Sequence, residues 1–161
     1  MENSDLELDF AGESDIPTVL GFIKELADYE HMSSEVVATE EKLRDWMFDK
    51  GVARALIARV DGEPVGFALF FHNFSTFLGR AGIYLEDLYV HPTSRGRGVG
   101  RALLKKLSSL AVGEGCGWLE WSCLDWNLPS IGFYKSLGAK PMDDWTVYRL
   151  EGRMLSALSE G

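Results

Sequence analysis

One stretch limits what this chain can become more than any other: Leu85-Glu86-Asp87-Leu88-Tyr89-Val90-His91-Pro92-Thr93-Ser94-Arg95-Gly96-Arg97-Gly98-Val99-Gly100-Arg101. Its first third reads as a strand. Pro92 and Ser94 mark a turn. The last third alternates glycine with arginine and runs into Ala102–Ala111, a strong helical pattern. A strand, a glycine-rich turn and a helix start together form an anion site. The first N–H groups of the helix have no intrahelical partner, and the helix dipole favours negative charge there. Glycine lets the anion approach the backbone closely. A phosphate-bearing ligand is therefore expected against Arg97–Arg101.

Charge narrows the partners. The chain carries 16 basic and 25 acidic residues, a net charge of −9. That argues against nucleic acid and against an anionic membrane, and it fits a cationic partner. Arg95, Arg97, Arg101, Lys105 and Lys106 form a basic island within this acidic chain, which reinforces the anion site. With 161 residues, one domain covering the whole chain is expected. No apolar run is long enough to cross a bilayer. The acidic start, Met1–Asp5, has neither the basic nor the apolar region of a secretion signal, so a cytoplasmic location is expected. Cys116 and Cys123 read as reduced, partly buried thiols without zinc-ligand company, and no metal is expected.

The element pattern follows from periodicity. Leu6–Phe10 alternates as a half-buried strand. Ser14-Asp15-Ile16-Pro17 starts a helix reaching about Glu30, and Thr39 caps a second that stops near Gly51. Arg54–Val60 and Pro64–Phe71 are strands joined by Asp61-Gly62, a short hairpin signal. His72–Arg80 is a mixed loop or strand extension, and Ile83–Val90 is the next strand. After the helix Val99–Ala111 come a strand at Trp118–Leu124, a short helix at Ser130–Leu137 and a last strand at Trp145–Leu150. The order is strand, two helices, three strands, helix, strand, helix, strand. That is an α/β chain with one mixed sheet and helices on both faces.

The glycine turn can be typed. A Walker loop ends Gly-Lys-Ser/Thr, whereas this one ends Gly100-Arg101-Ala102. A dinucleotide fingerprint needs a sixth-position glycine, where this chain has Arg101. Arg95-Gly96-Arg97-Gly98-Val99-Gly100 instead satisfies Arg-x-x-Gly-x-Gly, and it resembles the acetyl-CoA-binding motif of the GNAT superfamily of N-acetyltransferases. The likeness spans nearly the whole chain. Phe22–Glu30, Tyr84–Leu88, Arg95–Gly100 and Trp126–Lys135 resemble the diamine (spermidine/spermine) branch, which includes thialysine acetyltransferases. The resemblance implies a mixed, mostly antiparallel sheet of about six or seven strands flanked by about four helices, and a homodimer.

It also implies roles. A primary amine attacks the thioester of acetyl-CoA. The pyrophosphate of coenzyme A would lie on Gly96, Gly98, Val99, Gly100 and Arg101, with Arg95 and Arg97 as further phosphate contacts. The pantetheine would run along the backbone of Leu88, Tyr89 and Val90, and Asn127 and Ser130 would add polar contacts; Ser130 reads equally as a helix cap. An ammonium with a pKa of about 10 must lose a proton. Glu86 and Asp87 are adjacent on a strand, so they should face opposite sides of the sheet. The branch gives proton removal, through a water, to the glutamate, hence Glu86 as base; the alternative is that Glu86 only anchors the cation. Tyr134 is the general acid toward the departing sulfur, by transfer or by hydrogen bond.

On the amine side, the resemblance implies Tyr29, Glu30, Asp87, Glu120, Trp121, Ser122 and Asp144 as substrate contacts. Asn73-Phe74-Ser75-Thr76 carries no acid where polyamine-specific members have an aspartate, and Asp143-Asp144-Trp145 is shorter than its counterpart. Both departures shift the expectation toward a mono-amine or lysine-like substrate such as thialysine. The rival readings are acetylation of a protein lysine or N-terminus, and a non-catalytic acyl-CoA-binding domain.

Overall fold

The computed structural model describes residues 5–161; the reading of residues 1–4 as part of an acidic start lies outside them. Contacts within the chain gather into two units, one ending at Ser122 and the other comprising Cys123–Gly161.

The first unit contains β1 (Leu6–Phe10), α1 (Ile16–Tyr29), α2 (Glu40–Arg44) continued by a π-helical turn at Asp45–Asp49, β2 (Arg54–Val60), β3 (Glu63–Ser75), β4 (Arg80–Val90), α3 (Val99–Gly113) and β5 (Leu119–Trp121). The five strands lie in chain order. The first four form an antiparallel meander and β5 pairs parallel with β4. A parallel neighbour needs a crossover, and α3 supplies it.

The local chemistry accounts for these elements. Thr39 caps α2, its Oγ1 accepting from Lys42 N at 3.2 Å. Asp61 and Gly62 have φ of 51° and 82°, the pair of positive values a tight hairpin turn between twisted strands requires. Asp15 precedes α1 without capping it through its side chain. Its carboxylate accepts from Gly12 N at 2.9 Å and takes the Arg59 guanidinium at 2.7 Å.

Each sheet face has its own cover. Val19 and Phe22 of α1, with Met47, pack on Ala55, Ile57, Phe67, Leu69 and Tyr89. Phe22 stacks on Phe67 with ring centroids 5.4 Å apart. On the other face, Leu56, Phe70, Ile83 and Leu85 are buried together with Leu103 and Leu107 of α3.

Of the two alternatives for residues 72–80, the strand extension holds: the hairpin β3–β4 reaches Ser75 and Arg80, with pairs from His72↔Ile83 to Ser75↔Arg80. Three expectations are corrected. β5 is three residues, not Trp118–Leu124. Trp145–Leu150 forms no strand; its residues are exposed, and no described strand pairs with it, so its backbone has no ladder to join. The sheet therefore has five strands rather than six or seven, with five α-helices rather than four.

The second unit holds α4 (Leu128–Ser136) and α5 (Gly152–Glu160). α4 starts two residues before the expected Ser130, because Asn127 is the cap: its Oδ1 accepts from Ser130 N at 3.4 Å, with Pro129 in the first turn.

Candidate active site

The site begins with a break in β4. Asp87 lies opposite Leu69 and Leu85 lies opposite Phe70, so Glu86 has no partner on β3 and is bulged out. Leu69 and Phe70 are consecutive, hence on opposite faces, and so are Leu85 and Asp87. Simple alternation would have put Asp87 beside Leu85 under α3. The bulge instead turns Asp87 to the α1 face and leaves Glu86 exposed. Simple alternation assumes an unbroken strand, so it does not assign these two residues to faces here.

Asp87 is half-buried there. Its carboxyl is pushed up to about 6, first by burial and then by the negative charges of Glu86 and Glu30. Glu30 terminates α1, and burial pushes its carboxyl up as well. Three carboxylates thus crowd one place, an arrangement that a bound cation would relieve.

Beside them lies an open edge. β5 pairs with β4 only from Ile83 to Leu85. On that side, no described strand pairs with the backbone of residues 86–90. Tyr89 is buried between Phe22 and the sheet, so its main chain is the part a ligand could use. Val90 O is already taken by Arg95 Nε at 2.9 Å. The same guanidinium lies over the rings of Tyr29 and Tyr89, 5.1 and 5.5 Å from their centroids. Arg95 therefore braces the end of α1 against β4 while remaining exposed, and Arg97 and Arg101 are exposed too.

The turn is shaped as an anion cradle. Gly96 and Gly98 have φ of 77° and 80°, left-handed values that side chains resist. Gly98 precedes the first residue of α3, and the first intrahelical bond there is Ala102 N to Gly98 O at 2.9 Å. The amides of Val99, Gly100 and Arg101 are left at the helix start. A pyrophosphate fits this cradle, and an extended amide chain such as pantetheine fits the adjoining β4 edge.

The sheet continues beyond Asp87 as a polar and aromatic floor on the α1 face. Phe71 and Tyr84 pack with ring centroids 5.2 Å apart. Tyr84 Oη and Ser122 Oγ share a hydrogen bond of 2.6 Å. Glu120, paired with Tyr84, accepts from Asn73 Nδ2 at 2.6 Å, and Asn73 Oδ1 accepts from Trp118 Nε1 at 3.0 Å. Trp121 pairs with Leu85 and so lies on the other face. Phe71, Asn73, Tyr84 and Trp118 were not among the residues expected from sequence. Period-two spacing of Phe71 and Asn73 would have found two of them, had the strand been extended.

In the second unit, Tyr134 lies half-buried on α4 with its ring 5.7 Å from that of Phe133, and Asn127 is buried at the cap. Asp144 is exposed in an irregular turn. At the end of α3, Cys116 does have company: His72, Glu114 and Cys116 place donor atoms within 4.8 Å of one another. Glu114 is already paired with His72 at 2.6 Å and with Arg54 at 3.8 Å. Burial and Glu114 push the Cys116 thiol up, away from the thiolate a metal ligand must be.

Residues 21–139 match the model of the acetyltransferase (GNAT) family. The chain belongs to this family. Among relatives of the GNAT chain, a thialysine N-epsilon-acetyltransferase from Bos taurus is 38% identical, with 92% of this chain and 94% of that protein covered. A spermidine/spermine N(1)-acetyltransferase-like protein 1 from Homo sapiens is 34% identical over 84% of this chain and 21% of its own length. A solved integron cassette protein from V. cholerae superposes with a TM-score of 0.81 at 26% identity, covering 97% of this chain and 98% of that one. Among the described residues of this acetyltransferase, no helix is long and apolar enough to cross a membrane.

Proposed function

We propose that this GNAT acetyltransferase moves the acetyl group of acetyl-CoA to a primary amine of a small cationic substrate, by direct attack on the thioester. The observation that carries this reading is Asp87, half-buried with its carboxyl near 6 among Glu86 and Glu30, on an open sheet face beside the free edge of β4. The relatives named for thialysine and for spermidine/spermine support the same class of acceptor. The family match crosses from the first unit into the second, which supports treating the chain as one functional domain.

In this reading the glycine turn at Gly96–Arg101 holds the pyrophosphate, Arg97 and Arg101 add charge, and the β4 edge aligns the pantetheine. Coenzyme A supplies the activated acetyl thioester. The ammonium is drawn to Glu30, Glu86 and Asp87. Its proton passes to the Glu86–Asp87 pair, directly or through a water. A carboxyl raised to about 6 is a better proton acceptor near neutral pH than one at the ordinary value. Tyr134 donates to the developing sulfur charge, and Asn127 and Ser130 fix the start of its helix.

A homodimer is part of the proposal. Val147, Tyr148, Met154 and Leu155 are all more than half exposed, an apolar surface of the kind that subunit contacts cover.

The experiment is an acceptor panel of thialysine, lysine, putrescine, spermidine and a lysine peptide, with the free thiol of coenzyme A as readout. Turnover with small amines above the peptide is expected. A preference for the peptide would replace this reading with protein acetylation. Absence of acetyl-CoA binding by calorimetry would remove it.

A further inference from the structure

The end of α3 carries a second cluster, across the sheet from Asp87. Its backbone is fixed by a Schellman motif. Cys116 N–H donates to Ala111 O at 2.8 Å and Gly115 N–H to Val112 O at 3.1 Å, with Gly115 at a φ of 73°. Gly117 N–H then donates to Ala81 O of β4 at 2.8 Å. The motif puts Glu114 at the helix cap and Cys116 two residues on, in a turn held at both ends. His72 reaches them from β3. It lies two residues past the buried Phe70, on the α3 face of the sheet. No local spacing announces this group, because His72 and Glu114 are 42 positions apart.

The three side chains offer an imidazole, a carboxylate and a thiol to one small space. Glu114 Oε2 lies 2.6 Å from His72 Nε2 and 4.0 Å from Cys116 Sγ, and the three donor atoms all lie within 4.8 Å of one another. Around a tetrahedral zinc ion, nitrogen and oxygen donors stand about 3.3 Å apart and oxygen and sulfur about 3.6 Å, from the usual metal–ligand lengths. Both distances to Glu114 are within about 1 Å of those values, a difference that side-chain rotation covers. The carboxylate divides its oxygens. Oε1 pairs with Arg54 at 3.8 Å, and Oε2 is the one beside the other two donors. The C-terminal pole of α3 favours a cation at this place.

From this cluster we infer that His72, Glu114 and Cys116 form a zinc site with a fourth position open to water. His72 binds through Nε2 as its Nδ1–H tautomer, Glu114 through Oε2 and Cys116 through Sγ. Cys116 starts as a thiol, so its proton passes to solvent as the zinc–sulfur bond forms, while the imidazole only moves a proton from one ring nitrogen to the other. That exchange selects the ion. A thiophilic cation displaces a thiol proton, and hard magnesium or calcium does not. Thiolate and carboxylate together cancel the charge of a divalent ion, so the filled site is neutral beside Arg54. The side chains of His72 and Glu114 are 43% and 33% exposed, which gives the ion a way in. The role of the ion is structural: it ties the end of the crossover helix to β3.

The test uses the whole chain, free of any affinity tag, and zinc alone. Competition with a chromophoric chelator measures stoichiometry and affinity. One zinc ion per chain is expected, bound at least about 100-fold more tightly than magnesium, with a zinc-dependent rise in unfolding temperature. Cys116→Ser, His72→Gln and Glu114→Gln should each weaken binding by more than the roughly 10- to 100-fold that loss of an outer partner costs. Cys123→Ser should bind as the wild type does, which separates the cluster from thiols in general. Thermal unfolding without metal checks that each variant is folded. Cobalt(II) adds a readout that needs no variant: a near-ultraviolet thiolate-to-metal band in the wild-type protein. Failure of the wild-type chain to bind zinc, a cobalt spectrum without the thiolate band, or zinc binding that survives Cys116→Ser and His72→Gln overturns the inference. None of these outcomes touches the small-amine reading, which is tested with acetyl acceptors.

Discussion

Leu85 and Asp87 are two residues apart on β4 yet face opposite sides of the sheet, because Glu86 is bulged out between them. The bulge sends Leu85 into the core under α3 and brings Asp87 out on the α1 face beside Glu30. A strand without it would bury an acid under α3, at a cost of several kcal/mol for an unpaired charge. Here one extra residue converts a core strand into one wall of a cation site.

The first prediction concerns stability. Asp87 is raised from its ordinary 3.8 to about 6 in the folded protein. The folded state therefore binds its proton more tightly than the unfolded state. That favours folding only where the carboxyl is protonated, so the ionised form costs stability as pH rises through about 4 to 6. The full difference is worth at most about 3 kcal/mol, and partial exposure leaves about 1–2 kcal/mol. Asp87→Asn should stabilise the protein by that amount at pH 7–8 and by almost nothing below pH 4. Urea unfolding at the two pH values decides it. Equal stabilisation at both would mean that packing, not charge, is responsible.

The same group sets a pH profile. If the Glu86–Asp87 pair takes the proton, kcat/KM should rise through about pH 6. Glu86 is one of the negative charges that raise Asp87. Glu86→Gln should therefore move the acid limb to lower pH as well as lower the rate. An unmoved limb would separate the two carboxylates and return proton removal to a group other than Asp87.

Much of this was legible in the sequence. The hairpin at Asp61-Gly62, the cap at Thr39 and the glycine turn each rest on local chemistry, and each is where the residues placed it. What was missed depends on distant pairing. Nothing near Glu86 marks a bulge, which exists only in the register against Leu69 and Phe70. Asn73 and Glu120 meet across 47 positions, and Asn73 sat in a stretch left open between loop and strand extension. Trp145–Leu150 has a strand's composition, but a strand also needs a neighbour.

Gly98 should be irreplaceable for cofactor binding. Its φ of 80° costs a side chain about 1–2 kcal/mol, and nothing lies within 4 Å of the position a Cβ would take. Gly98→Val is therefore a backbone test rather than a packing test. It should lower thermal stability modestly and weaken coenzyme A binding by roughly tenfold or more, as the helix-start amides turn away from the phosphate. Calorimetry with coenzyme A alone measures it. Unchanged affinity would place the pyrophosphate elsewhere.

Tyr134 is tested by removing one oxygen. Its ring packs beside Phe133, so Tyr134→Phe keeps the aromatic contact and deletes only the hydroxyl. A donor to the departing sulfur is typically worth about 10²- to 10⁴-fold in rate. The variant should lose kcat by about that factor while KM for the amine holds. Its rate should also lose any alkaline fall due to the phenol. Replacing acetyl-CoA with a thioester whose thiol is more acidic should narrow the gap, because a better leaving group needs less help. If Tyr134→Phe turns over at the wild-type rate with both thioesters, the hydroxyl has no part in the chemistry, and sulfur must be stabilised by another group.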